Sequence, residues 1–242
     1  MTMKQYLFLS FVLTLLSFSG HATLPGNFTA TYNLYYDDLR IGIMERHLIH
    51  NKDGSGTFES NGKLTGLAAL FRKDKITEVS RWESIDGQIR PVEYKYLKTG
   101  DKKDKTENYL FNWNKNKVLS STQNGQKELD IKPGLLDKLL YQFAVMGLSD
   151  PERGLEFDLI DGTSFKNYQF EFKGKETLST PLGKLETLKF QRKRPATTEK
   201  ENDKRKTILW CAPSLHYLPV RVDNFDKKGH LTSIIIKNVQ GL

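Results

Sequence analysis

The chain has 242 residues, 27% of them charged, with a formal net charge of +8 and a pI near 9.3. Its single cysteine, Cys211, excludes an internal disulfide. Beyond the N-terminus no apolar run approaches the roughly 20 residues that a membrane-crossing helix needs. A length of this order admits one large β domain or two smaller ones, and it buries a sizeable core without covalent staples.

Lys4 precedes an apolar run over residues 6–18, and the small residues Gly20 and Ala22 follow two apart. This order predicts a cleavable secretory signal over residues 1–22, cut near Ala22. Cleavage there leaves 220 residues, 23–242. No cysteine stands near the cut to carry a lipid anchor. An exported chain without disulfides fits a bacterial periplasm, where the sequon Asn27-Phe28-Thr29 is a chance match. In that compartment the basic balance points to anionic lipid headgroups, acidic glycans or an acidic envelope protein, and not to nucleic acid.

Most of the mature chain alternates apolar and polar residues, as strands with one buried face do. Strands are predicted at 28–34, 41–49, 56–64, 76–84, 88–97, 108–113, 117–122 and 126–131. Further strands are predicted at 155–160, 164–172, 185–192, 206–211, 217–223 and 230–239. Asn51-Lys52-Asp53-Gly54, Asp86-Gly87 and Asp161-Gly162 read as turns. Residues 100–106 and 192–206 are charged and read as solvent loops. One segment breaks the alternation. Leu135, Leu136, Leu139, Leu140, Phe143 and Met146 recur at steps of three and four, which predicts an amphipathic helix over 133–148. A turn or two of helix is also expected within 64–71.

The expected fold is mainly β, built of antiparallel curved sheets in a barrel, half-barrel or sandwich arrangement around one central amphipathic helix. Trp82 precedes Pro91-Val92 by the same nine residues that separate Trp210 from Pro219-Val220. That spacing suggests two similar halves, 28–131 and 154–240, joined by the helix within one domain, 23–242. Each proline suits a strand start.

Signatures of catalysis are scarce. Cys211 and His216 are close in sequence, but no third residue to orient the histidine and no electropositive neighbour for the thiol is visible, so Cys211 reads as a buried, inert side chain. His47 and His50 fall on opposite faces of a strand, and no metal-binding spacing occurs, so neither a metal nor another cofactor is expected. The nucleophile-elbow, phosphate-loop and dinucleotide patterns are absent. The aromatic residues are more informative, because large side chains alternating along curved strands either fill a core or line a groove for an apolar ligand. Candidate ligand-contacting residues are Tyr32, Trp82, Leu139, Phe143, Phe170 and Trp210. A candidate docking surface is Arg192, Lys193, Arg194, Lys204, Arg205 and Lys206.

Trp210, the run Leu215-His216-Tyr217-Leu218-Pro219-Val220-Arg221-Val222, Gly229 and the strand from Leu231 resemble the DUF3108 family of exported bacterial proteins of unknown function. The segments 32–42 and 82–92 fit the same family, so the resemblance spans about residues 28–239. It implies an antiparallel β architecture in the cell envelope and supplies no activity and no catalytic residue. The charged stretch 192–206 departs from it.

Three functions remain open on these grounds. The first is a non-catalytic envelope binding or carrier protein for a lipid, a lipoprotein or another amphiphile. The second is a structural or assembly protein that docks an envelope partner or polysaccharide. The third is a hydrolase of unknown substrate, which is disfavoured.

Overall fold

The computed structural model describes residues 25–100, 103–147, 150–194 and 204–242. The expected signal segment and residues 195–203 of the charged loop lie outside them. The first lobe is an eight-strand meander: β1 (Phe28–Tyr36), β2 (Leu39–His50), β3 (Ser55–Leu64), β4 (Lys75–Ile85), β5 (Gln88–Thr99), β6 (Lys105–Asn112), β7 (Lys117–Thr122) and β8 (Gly125–Asp130). The second has six strands: β9 (Leu155–Asp161), β10 (Ser164–Thr180), β11 (Gly183–Lys193), β12 (Lys206–Ala212), β13 (Leu218–Phe225) and β14 (Leu231–Gln240). Every ladder is antiparallel, and β1 pairs with β14, so both meanders belong to one sheet.

The edges of that sheet are β8 and β9. No ladder joins them among the described residues, so the sheet is two-lobed and open, not a closed barrel. The segment between them covers part of the β9 edge. Leu136 N donates to Asp158 O at 3.0 Å, and Ile160 N donates to Leu136 O at 3.1 Å.

The expected central helix over 133–148 is not formed. Only α2 (Tyr141–Met146) is helical there, and α1 (Leu67–Phe71) is the short helix expected within 64–71. Two local interactions break the longer helix. Leu136 is drawn into the extended bridge with Leu159. Asp137 then accepts hydrogen bonds from the backbone of Leu139 and Leu140, both at 2.8 Å, a local side-chain bond that starts a turn afresh instead of continuing one.

Both Pro-Val pairs sit at β-bulges. Trp82 pairs with Pro91, and the register shift leaves Val92 as the extra residue. In the second lobe Trp210 pairs with Arg221 and Cys211 with Pro219, leaving Val220. Equal spacing in sequence therefore hides an offset of one residue: Cys211, not Trp210, occupies the place that Trp82 has in the first lobe. Gly56 stands opposite Trp82. A Cβ there would lie 2.2 Å from the indole and 2.7 Å from Ile49 O, so only glycine lets the ring cross β3.

The segment from 131 to 147 ties the lobes together. In the first lobe Phe143 stacks on Phe58, with ring centroids 5.5 Å apart, and meets Trp82 edge-on at 5.7 Å. Toward the second, Tyr141 stacks on Phe157 at 5.4 Å, and Phe157 on Phe170 at 6.0 Å. The buried apolar side chains form one cluster.

Candidate functional site

The strand alternation that buries Phe58 and Trp82 also turns polar side chains into the first lobe, where the connecting segment meets them. Asp137, fully buried, takes the hydroxyl of Ser80. Gln142 Oε1 accepts from Arg46 Nη1 at 2.9 Å, and the Arg46 guanidinium lies 5.0 Å above the Tyr32 ring. Around it Tyr32 Oη, Arg46 Nε and Ser60 Oγ are buried without a protein partner. Clusters of such atoms are uncommon in a native interior.

Lys138 enters the same interior. Its Nζ is 2.6 Å from Glu107 Oε2 and 3.3 Å from Asp161 Oδ1, and it faces the rings of Tyr94, Tyr96 and Tyr109 at 5.7–5.9 Å. Tyr94 donates to Glu78 at 2.6 Å and stacks on Tyr109, which donates to Glu107. The turn after β9 docks here too: Gly162 N donates to Tyr109 Oη at 2.8 Å, and Ser120 Oγ donates to Gly162 O at 2.6 Å. Burial pushes the Tyr94 and Tyr109 hydroxyls far above the usual phenol range, and the neighbouring carboxylates push the same way.

Burial also raises the Asp137 carboxyl to about 6, against the downward pull of Ser80 and the two backbone amides. A carboxyl that holds its proton more tightly when folded than when unfolded favours folding fully below about pH 4, and that contribution is lost as pH rises through about 6. Asp137→Asn keeps an acceptor for both amides but cannot ionise. In urea titrations the wild type should lose up to roughly 3 kcal/mol more stability than this variant on going from pH 4 to pH 7. Equal pH dependence in the two proteins would refute the assignment.

At the opposite strand end of the same lobe lies an open cleft of about 880 Å³. The start of β5 supplies Ile89 and Arg90, the β6–β7 turn supplies Trp113, and the connecting segment supplies Ile131, Leu136, Phe143 and Ala144. Trp113 is fixed by donating Nε1–H to Pro91 O at 2.8 Å, and the Arg90 guanidinium lies 5.4 Å from its ring centroid. The chemistry on offer is an apolar wall with a cation at the rim.

Of the six predicted ligand-contacting residues, Phe143 lines this cleft. Trp82 touches Phe143 from the core side, and Leu139 is buried in the connecting segment. Tyr32 packs under Arg46, and Phe170 belongs to the aromatic cluster of the second lobe. Trp210 stands apart. It donates to Glu176 at 3.0 Å and is covered by Lys189 and Arg221, 5.0 and 4.9 Å from its ring. Arg90, Ile89 and Leu136 were not anticipated. The visible cue to the buried network was a pair of charges, Asp137 and Lys138, inside an otherwise apolar run.

Five of the six predicted docking cations line a second cleft of about 860 Å³: Arg192, Lys193, Arg194, Arg205 and Lys206, joined by Lys166, Tyr168 and Phe225. The Arg192 guanidinium stacks 3.4 Å from the Tyr168 ring centroid. Lys204 instead bonds through its backbone to Lys227 O at 3.3 Å. Cys211 is fully buried, which raises its thiol well above the usual range, whereas His216 is exposed. The pair does not form a nucleophile and base. No group of three or more metal-ligating side chains occurs among the described residues.

Solved structures that resemble this chain do so at low identity and with TM-scores below 0.5. A β-barrel-like protein of the DUF1849 domain of unknown function from Brucella abortus is 10% identical, with a TM-score of 0.49, over 90% of this chain and 99% of its own. A putative exported protein with a YmcC-like fold from Bacteroides fragilis is 11% identical, with a TM-score of 0.38, over 90% and 98%. A putative lipoprotein from Parabacteroides distasonis is 12% identical, with a TM-score of 0.32, over 90% and 97%. No curated protein matches the chain. Residues 31–235 match the family of proteins of unknown function DUF3108, and the chain belongs to that family.

Proposed function

We propose that the protein is a non-catalytic binding or carrier module of the bacterial periplasm that holds the apolar part of an amphiphile in the cleft between β5, the β6–β7 turn and α2. The observation that carries this reading is the cleft itself. Its volume of about 880 Å³ falls within the range of small-molecule sites, roughly 300–1,000 Å³. Its walls are mainly apolar, and Arg90 is placed to meet an anionic headgroup. The buried polar groups support a structural role for the interior. Asp137 is committed to Ser80 and two amides, and Glu107 to Lys138 and Tyr109. Neither carboxyl is held free for a substrate.

Palmitate, a single-chain anionic amphiphile, is a suitable probe. Ala144 is half-buried on the cleft wall, so Ala144→Trp fills the space from that wall, with an unchanged melting temperature as the control for folding. Native mass spectrometry should show one palmitate on the wild type and at least about tenfold weaker binding to the variant, a difference of roughly 1.4 kcal/mol. Equal binding by both proteins, or none by the wild type, would remove the carrier reading. A second reading rests on the basic cleft around Arg192 and Tyr168, which suits an anionic envelope polymer or partner.

A further inference from the structure

Between β3 and β4 the chain forms the single helical turn α1, and its burial is inverted. Ala68 and Ala69 are half-buried, while Leu67, Leu70 and Phe71 are 72%, 76% and 82% exposed. Positions 67, 70 and 71 are one, three and four steps apart, so these three side chains share one face of the turn. The base of the turn is fixed. Thr65 N donates to Ile41 O at 2.9 Å, and Asp74 is held by Arg72 and by Lys98 at 3.8 Å. Leu39, 62% exposed, adds a fourth apolar side chain at the start of the neighbouring β2. A fixed apolar tip aimed at solvent marks an interaction surface.

Its surroundings are basic. Arg40, Lys63, Arg72, Lys73, Lys75 and Lys98 flank the turn. Among the described acids nearby, Asp74 is engaged by Arg72 and Lys98 and Asp37 faces His230, while Asp38 and Asp104 are exposed, so the cations outnumber them. We propose that this tip seats the protein on an anionic phospholipid surface, with Leu67, Leu70 and Phe71 inserted below the headgroups and the cations against them. Charge decides between this occupant and a second copy of the chain. A two-fold contact would set the same basic collar against itself, and one helical turn offers far less than the roughly 800 Å² per partner of a stable interface. A bilayer carrying phosphatidylglycerol complements both features at once. The apolar cleft lies at the other strand end and takes no part.

Vesicle co-sedimentation of the protein purified from its own host tests the assignment. The wild type should bind vesicles of phosphatidylcholine mixed with phosphatidylglycerol and bind phosphatidylcholine alone much less, with binding weakened by salt. Leu67→Ser, Leu70→Ser and Phe71→Ser together should weaken binding at least about tenfold, with an unchanged melting temperature, because these side chains are exposed. Lys63→Glu with Lys75→Glu should abolish the preference for phosphatidylglycerol. Ala144→Trp should bind vesicles like the wild type, which separates this surface from the cleft. The proposal is overturned if the wild type ignores anionic vesicles or binds both compositions alike, or if the triple variant binds as well as the wild type. It is equally overturned if sedimentation equilibrium shows a dimer that the triple variant abolishes while vesicles are not bound.

Discussion

Replacing Lys138 with methionine is expected to cost about 3–5 kcal/mol of unfolding free energy, because it breaks a largely buried ion pair by removing one partner. Methionine keeps most of the aliphatic stem against the tyrosine rings. What it removes is the cation at 2.6 Å from Glu107, whose side chain is only 9% exposed. Glu107 would then be left with the Tyr109 hydroxyl as its partner. The loss also reaches the second lobe through Asp161, 3.3 Å from the same ammonium. Urea denaturation measures the effect, and adding Glu107→Gln should recover much of it. A loss below about 1 kcal/mol would put the pair in the class of exposed ion pairs.

Phe143→Ala should be comparably costly, about 3–5 kcal/mol, through the cavity it leaves. The ring is 4% exposed and packs on both Phe58 and Trp82. The result bears on whether α2 is core or lid. A helix turn that swings away from the sheet would lose little when Phe143 is cut back, so a cost under about 1 kcal/mol would show that the connecting segment is only loosely attached. The large value means that a ligand in the cleft meets a wall already in place.

Period-two alternation located most strands because one face of each is wet. The expected strand 76–84 became Lys75–Ile85, and 88–97 became Gln88–Thr99. Strand β10 runs on to Thr180, past the expected end at 172. Its register shift between Phe172 and Lys175 breaks the alternation where Lys173 and Gly174 stand. The helix over 133–148 failed for a different reason. Leu135, Leu136, Leu139, Leu140 and Phe143 are all buried, yet only Phe143 of them lies in the helix, so their spacing of three and four reflects burial of the whole segment and not one helical face. Asp137 was the readable warning, since it suits the start of a turn better than the middle of a helix.

The interior network was less legible still. Glu107, Arg46 and Ser80 occupy inward positions that alternation assigns to apolar residues, and their partners come from a segment tens of residues away. Each looks like a solvent-facing residue until Lys138, Asp137 and Gln142 are brought to it. The cleft has the same character: Arg90 matters only because the chain places it over Trp113.

The ladder between β1 and β14 sets an order of events. Its partners, from Thr29 with Gln240 to Tyr36 with Thr232, are roughly 200 residues apart, whereas every other ladder joins neighbours along the chain. Twelve of the thirteen ladders among the described residues join strands that are consecutive in the chain and can zip locally, but the outer edge of β1 waits for the last strand. Through that interval it presents an unpaired row of backbone donors and acceptors, the kind of edge that other chains can add to. The two lobes meet along the slowest contact in the molecule, and a chain truncated before Leu231 would keep its hairpins while losing the strand that makes them one sheet.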